Sequence, residues 1–316
     1  MTTNTNLSQI NLLKDRLNGY ILGQEKIIDF ILIAIICGGH ILLEGVPGTA
    51  KTSLVKVLAR LINSPFKRIQ LTPDMLPSDI IGTSIFDFNS KTFNLHYGPI
   101  FTSLILADEI NRTPPKTQSA LLEAMEERQV TIDGSTELLP DFFLVIATQN
   151  SIEFEGTYPL PEAQLDRFMF KLNFNYPDNK SELAMLKLWQ NAKQNKLIQN
   201  IVSIVTVDEL LVHKANVQNI VVEDNVLEYL ISLADLSRNL PQLRLGASPR
   251  ATLNWLMAAK GLAYIRGCDY VTPDDIKFVA HPILEHRLII NPESELEGNT
   301  ISQVIDLILN KIKVPR

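Results

Sequence analysis

Cysteine is nearly missing from this chain. Only Cys37 and Cys268 occur in 316 residues, far apart, with no CxxC pair and no histidine pair beside them. That excludes a disulfide framework, and two buried, reduced thiols in a reducing cytoplasm are expected. Basic charge is not in excess either: 29 Lys and Arg stand against 35 Asp and Glu, a net charge of -6. A protein whose main task is gripping nucleic acid needs a basic face, so this balance argues against that class while leaving room for a local patch. A long hydrophobic run is absent too. Residues 27 to 37 are strongly apolar, but Asp29 interrupts them and Gly38-Gly39-His40 ends the run too early to span a bilayer, so a core helix is expected. The stretch Met1 to Gln9 is polar and lacks the basic and apolar regions of a signal peptide. There is no low-complexity tract and no internal repeat.

What is present describes a globular protein, with 46% hydrophobic and 20% charged residues in a length that suits one large or two medium domains. Directly after Ile41-Leu42-Leu43 comes Gly45-Val46-Pro47-Gly48-Thr49-Ala50-Lys51-Thr52. A strand, a glycine-bearing turn and a helix make a concavity of backbone N–H groups that suits the phosphates of a nucleotide. In such a loop Lys51 reaches the β- and γ-phosphates and the Thr52 hydroxyl ligates Mg²⁺. One glycine is missing from the usual pattern: Ala50 stands just before the lysine.

Strand-like runs at His40 to Glu44, Lys67 to Leu71, Ser103 to Ala107, Phe142 to Ala147 and Phe168 to Phe174 alternate with helix-like segments, which predicts a parallel α/β sheet. Thr113-Pro114-Pro115 opens a helix running to Arg128, with Leu121, Leu122 and Met125 on its apolar face and Glu123, Glu126 and Glu127 mainly toward solvent. Alternation through Val130 and Ile132 into Asp133-Gly134 predicts a hairpin. A second inserted element is expected over 82 to 97, where Phe86, Phe88, Phe93, Leu95 and Tyr97 recur at even spacing. Beyond Pro177 the pattern turns helical: 180 to 195, 207 to 216, 223 to 240, 248 to 266 and 273 to 284. Ser248-Pro249 and Thr272-Pro273 have the form of helix starts. A mostly helical second domain is expected from that point.

A phosphate loop needs an acidic partner. Leu104-Ile105-Leu106-Ala107 ends in Asp108 and Glu109. Asp108 suits the Mg²⁺ shell, mostly through water, and Glu109 suits the deprotonation of an attacking water. Asn150 follows the apolar run from Phe142 and falls at the sheet edge where ligands of open α/β folds bind, suited either to position the water or to cap a turn. Two arginines, Arg167 and Arg250, could supply charge to a transferring phosphoryl group. Such a group is worth about 10³ to 10⁵ in rate, roughly 4 to 7 kcal/mol. Either could equally pair with a surface carboxylate. His96, His213, His281 and His286 complete no recognisable ligand set, so no zinc is expected. Trp189 and Trp255 are taken as packing residues, and Ser248 lacks the turn of a nucleophile.

Residues 45 to 52, Arg68 to Asp79, Leu106 to Arg112, Pro114 to Gly134, Ala147 to Phe168 and Gly246 to Ala251 closely resemble the MoxR family of AAA+ ATPases, and the likeness runs from Gly23-Gln24-Glu25 to the C-terminal helices. Ala50 is typical of that family. The resemblance implies a nucleotide-binding αβ core over residues 1–176, with a five-stranded parallel sheet in the order 5-1-4-3-2, and a helical lid over 177–316. It implies the two inserts: one after the second strand, one hairpin before the fourth. By the same token Asn150 matches sensor 1, Arg167 an arginine finger offered to a neighbouring subunit, and Arg250 sensor 2, acting on either its own or a neighbour's nucleotide. Ile21, Leu22 and Gly23, after Tyr20, match the wall of the adenine pocket. The activity implied is Mg²⁺-dependent ATP hydrolysis by a cytoplasmic ring of about six subunits. It would remodel or mature client complexes, metal insertion among the tasks implied, with von Willebrand factor A-domain partners. Two other classes remain: a DNA-acting motor, disfavoured because Asp133, Glu137 and Asp141 make the pre-sensor hairpin acidic with Arg128 its lone cation, and a nucleotide-switched scaffold with little turnover.

Overall fold

A five-stranded parallel sheet carries the first half of the chain. In the computed structural model, which describes residues 2–46, 49–150, 156–191 and 201–315, the sheet is built from β1 (Ile41–Glu44), β2 (Phe66–Gln70), β5 (Leu104–Asp108), β8 (Leu144–Gln149) and β9 (Phe170–Asn173). All four pairings are parallel, and the order is β2-β5-β8-β1-β9. Counting only these five strands along the chain, with hairpin strands left out, gives 5-1-4-3-2. The expected strand limits move by one or two residues. Phe142 and Phe143 are buried as expected but precede the β8 ladder, because apolar burial alone does not mark where pairing begins.

Both inserts are antiparallel hairpins. The first pairs β3 (Gly82–Asp87) with β4 (Thr92–Tyr97), and the second pairs β6 (Gln129–Ile132) with β7 (Ser135–Leu138). The second turns on Asp133 and Gly134, with φ of 49° and 89°, the paired positive φ of a tight hairpin turn. They also touch: Ser84 N donates to Asp133 Oδ2 at 2.9 Å, and Tyr97 OH donates to Glu137 Oε2 at 3.2 Å.

Helices α1 (Thr2–Tyr20) and α2 (Glu25–Cys37) precede the sheet. Ile28 and Ile31 to Ile36 of α2 are buried, so the apolar run is the expected core helix, and no helix among the described residues is long and apolar enough to cross a membrane. Helix α3 (Lys51–Leu61) follows the phosphate loop, α4 (Pro77–Ile81) leads into the first hairpin, and α5 (Pro115–Glu127) begins at the last residue of the expected Thr113-Pro114-Pro115 start. The C-terminal segment holds helices at Asn179–Asn191, Val207–Gln218, Asp224–Asn239, Pro249–Ile265 and Pro273–Leu284. Residues 192 to 195 of the first expected lid helix and the Trp189 side chain lie outside what is described. Ser248 and Thr272 accept from Ala251 N and Asp275 N, so both cap-and-proline starts form. A helix at Ile301–Lys311 and a two-stranded pair, Leu243–Leu245 with Ile289–Ile290, were not expected from the sequence. Trp255, fully buried, donates its indole N–H to Ile276 O at 2.7 Å and belongs to the same apolar cluster as α2 and β1.

Candidate active site

The phosphate loop leaves β1 where three strands end together. Gly45 N donates to Gln149 O at 3.3 Å, and Phe174 N donates to Glu44 O at 2.6 Å. Lys171 pairs with Glu44 at 2.6 Å. No side chain larger than hydrogen fits at Gly45, since an added Cβ would stand 2.2 Å from Phe174 O. Pro47 and Gly48 lie outside the described residues; Val46 is present, and its carbonyl accepts from Thr49 Oγ1 at 2.9 Å. Ala50 takes the left-handed conformation, φ 69°, that the missing glycine would have taken freely, and this costs about 1 kcal/mol. Helix α3 then starts at Lys51 with no side-chain cap and no acidic residue in its first turn, leaving its N-terminal dipole to an anion. Lys51 Nζ donates to Gly45 O at 2.6 Å. Partial burial pushes its pKa down, against the opposing pull of Asp108, Glu109 and Glu44.

Thr49 to Thr52 share a cleft of about 360 Å³ with Arg68, Asp108, Glu109, Thr148 and Asn150. The expected carboxylates and sensor asparagine are thus brought to the loop. Asp108 is fully engaged: Thr148 Oγ1 donates to Oδ1 at 2.5 Å, while Arg68 donates to Oδ2 through Nη2 at 2.7 Å and Nε at 3.1 Å. Glu109 sits at φ 59°, and its N–H donates to Thr148 Oγ1 at 2.9 Å. Its carboxylate accepts from Gln70 Nε2 at 2.9 Å and pairs with Arg112 at 3.2 Å. Strained backbone at a charged residue is the kind of outlier that clusters at working sites. Four of these residues were not singled out from the sequence: Arg68, Gln70, Arg112 and Thr148. The alternation Arg68-Ile69-Gln70, exposed-buried-exposed on β2, is the one available signal, since β2–β5 register sets Gln70 against Asp108.

The Ile21-Leu22-Gly23 segment does not line this cleft. Beside it Gln24 Nε2 donates to Asn175 O at 2.8 Å, and Gly23 is so near Ser181 that a Cβ would meet it at 2.9 Å. Nor do the two arginines line it. Arg167 Nε lies 3.1 Å from Glu126 Oε2, and Arg250 Nη2 donates to the other oxygen, Oε1. The register of β1 with β9 pairs Ile41 with Phe170 and Glu44 with Asn173. Arg167 precedes Phe170, so it lies at the N-terminal edge of the sheet, while Gly45 leaves the C-terminal edge. Strand length alone separates them by about 13 Å, more than an arginine side chain spans.

Of the histidines, His96 is exposed, His213 meets Tyr264 OH at 2.8 Å, His281 rests between Glu285 and Asp306, and His286 reaches Phe168 O at 3.1 Å.

Known proteins match this arrangement. The family model for the ATPase family associated with various cellular activities (AAA) covers residues 40–170, and that for the AAA lid domain covers 236–308. The Bacillus subtilis protein YeaC is 44% identical over 95% of this chain and 93% of its own. Chaperone MoxR1 of Mycobacterium tuberculosis is 40% identical over 94% of this chain and 80% of its own, and Protein MoxR of Paracoccus denitrificans is 29% identical over 95% and 94%. A solved structure from Cytophaga hutchinsonii, assigned as an ATPase, has a TM-score of 0.91 at 43% identity, over 99% of this chain and 97% of that one. The chain belongs to the MoxR family of AAA+ ATPases.

Proposed function

We propose that the chain hydrolyses Mg²⁺-bound ATP as a ring, each subunit's phosphate loop being completed by Arg167 and Arg250 of its neighbour. The observation that carries this is the placement of both arginines on Glu126, away from their own loop. The residues fit the nucleotide and its metal: a cradle that admits only glycine at 45, an uncapped helix start, and a carboxylate, Asp108, already drawing a cation to Oδ2. Thr52 and Asp108 would hold Mg²⁺, the latter mostly through water, and the bound ion supplies charge to the β- and γ-phosphate oxygens.

In that reading Lys51 exchanges Gly45 O for the phosphates. Asn150 orients the water, and Glu109 takes its proton as oxygen attacks the γ-phosphorus. The bond to the β–γ bridging oxygen breaks, releasing ADP and phosphate. Ile21, Leu22 and Gly23 wall the adenine. Residues 1–176 act as the nucleotide core and 177–316 as its lid. The name of the relative Chaperone MoxR1 supports chaperone-like remodelling of client complexes, and a cytoplasmic ring of about six subunits is what the family resemblance leads us to expect. The family adds von Willebrand factor A-domain partners and metal insertion as expectations. A DNA motor is less well supported: Arg128, the hairpin's cation, donates inward to Gly38 O at 2.8 Å and Phe143 O at 3.1 Å. A scaffold without turnover leaves Glu109 and Arg167 unused.

The test mixes two inactive chains. Arg167→Ala keeps a working loop without its arginine; Glu109→Gln keeps the arginine without its base. In an equal mixture roughly a quarter of interfaces are complete, so about a quarter of the wild-type rate should return. A mixture no faster than its components, from chains proven to assemble, refutes action between subunits. Proteins retained by Glu109→Gln in ATP would identify the client.

A further inference from the structure

Arg287 belongs to the lid but is only 5% exposed, and each of its five N–H groups finds an acceptor inside the molecule. Nε donates to Asp166 Oδ1 at 2.6 Å. Nη1 donates to Met169 O at 3.1 Å and Ile283 O at 2.6 Å; Nη2 donates to Asp166 O at 3.2 Å and Phe168 O at 2.5 Å. Four of these acceptors lie in the turn 166–169, on both sides of Arg167. Two further lid side chains grip the same turn: His286 Nε2 donates to Phe168 O at 3.1 Å, and Ser248 Oγ donates to Asp166 Oδ2 at 3.1 Å. Ser248 also caps the helix on which Arg250 stands, accepting from Ala251 N at 3.0 Å. Asp166 therefore ties the turn of one arginine to the helix start of the other.

We propose that Arg287 is a positioning residue for the arginines delivered to the neighbour. It fixes the Arg167 turn to the lid, so the lid of one subunit governs hydrolysis in the next. Surface ion pairs need no such construction; a planar guanidinium spanning one side-chain oxygen and four carbonyls holds a backbone in a single geometry. Lysine keeps the charge opposite Asp166 but cannot span that fan. The inference rests on the ring reading, and its test separates the two.

The variant is Arg287→Lys, with Asp166→Asn as a second that keeps the main-chain acceptors. Folding is checked by thermal melting, nucleotide affinity by titration, and turnover alone and in equal mixture with Glu109→Gln. Arg287→Lys should lose about tenfold or more in kcat while ATP affinity stays within about twofold, because its own loop is untouched. Mixing with Glu109→Gln, which brings an intact arginine turn, should restore roughly a quarter of the wild-type rate. Full activity of the variant alone, or loss of ATP affinity, or no rescue by a partner that does rescue Arg167→Ala, overturns the inference. If Arg287→Lys does not fold, the same readouts on Asp166→Asn decide, with a smaller rescuable loss expected. Failure of the Arg167→Ala mixture itself would instead strike the ring reading.

Discussion

Mild acid should destabilise this protein through His40. The ring is 5% exposed and held from both sides: Val145 N donates to Nδ1 at 3.0 Å, and Nε2 lies 3.1 Å from Met125 O. Only the neutral tautomer with its proton on Nε2 satisfies both contacts, since a proton on Nδ1 would face the Val145 N–H. Burial first, and the positive charge of Arg128 second, push the pKa from 6.5 down to about 3. The unfolded chain takes up this proton near 6.5 and the folded chain near about 3, so the unfolded state binds more protons in between. The stability from the neutral ring is complete above pH 6.5 and is lost as pH falls, at about 1.4 kcal/mol per unit, or roughly 2 kcal/mol by pH 5. That is a sizeable share of the ~5–15 kcal/mol typical of a domain. His213 and His286 are also lowered by burial, so they steepen the loss. The assay is urea unfolding at pH 7, 6 and 5 beside His40→Asn, whose amide oxygen can still accept from Val145 N. The variant should be weaker at pH 7 but lose less on acidification, by about one proton's worth of slope. Equal slopes in the two proteins between pH 6 and 5 would refute the reasoning.

Gln70→Ala should raise turnover at saturating ATP by about threefold or more, because Glu109 no longer has to leave a hydrogen bond worth ~0.5–1.5 kcal/mol to meet water; steady-state phosphate release checks this, and a fall would count against it. Gly45→Ala should destabilise by ~1–3 kcal/mol through overpacking and abolish nucleotide binding, since the new methyl meets Phe174 O; thermal melting with and without ATP measures both.

Much of the site could be read from the sequence because its parts are local. The loop at 45 to 52 and the pair Asp108-Glu109 each follow an apolar strand, and a parallel sheet must bring such strand ends to one edge. The hairpin at Asp133-Gly134 was legible for the same reason: turn chemistry is written in two adjacent residues. The parts that escaped depend on register or on distant contacts. Arg68 and Gln70 become site residues only once β2 is known to lie beside β5. Glu126 looked like a solvated helix face, and nothing within α5 announces that two arginines from elsewhere converge on it. The helix at Ile301–Lys311 did carry its signal, a Thr300–Gln303 capping box.

The placement of Gly45 and Arg167 at opposite edges of one sheet limits how copies can be useful to one another. A two-fold dimer could complete both phosphate loops only if one self-complementary patch held loop and arginine together, since across it residue i meets residue j and j meets i. A head-to-tail contact carries no such requirement, and any open chain of such contacts ends in one unfinished site. A pair would work at half capacity, longer rows approach full capacity, and only closure supplies every member. Loss of a single subunit from a closed ring would therefore silence two sites, its own and the one it served.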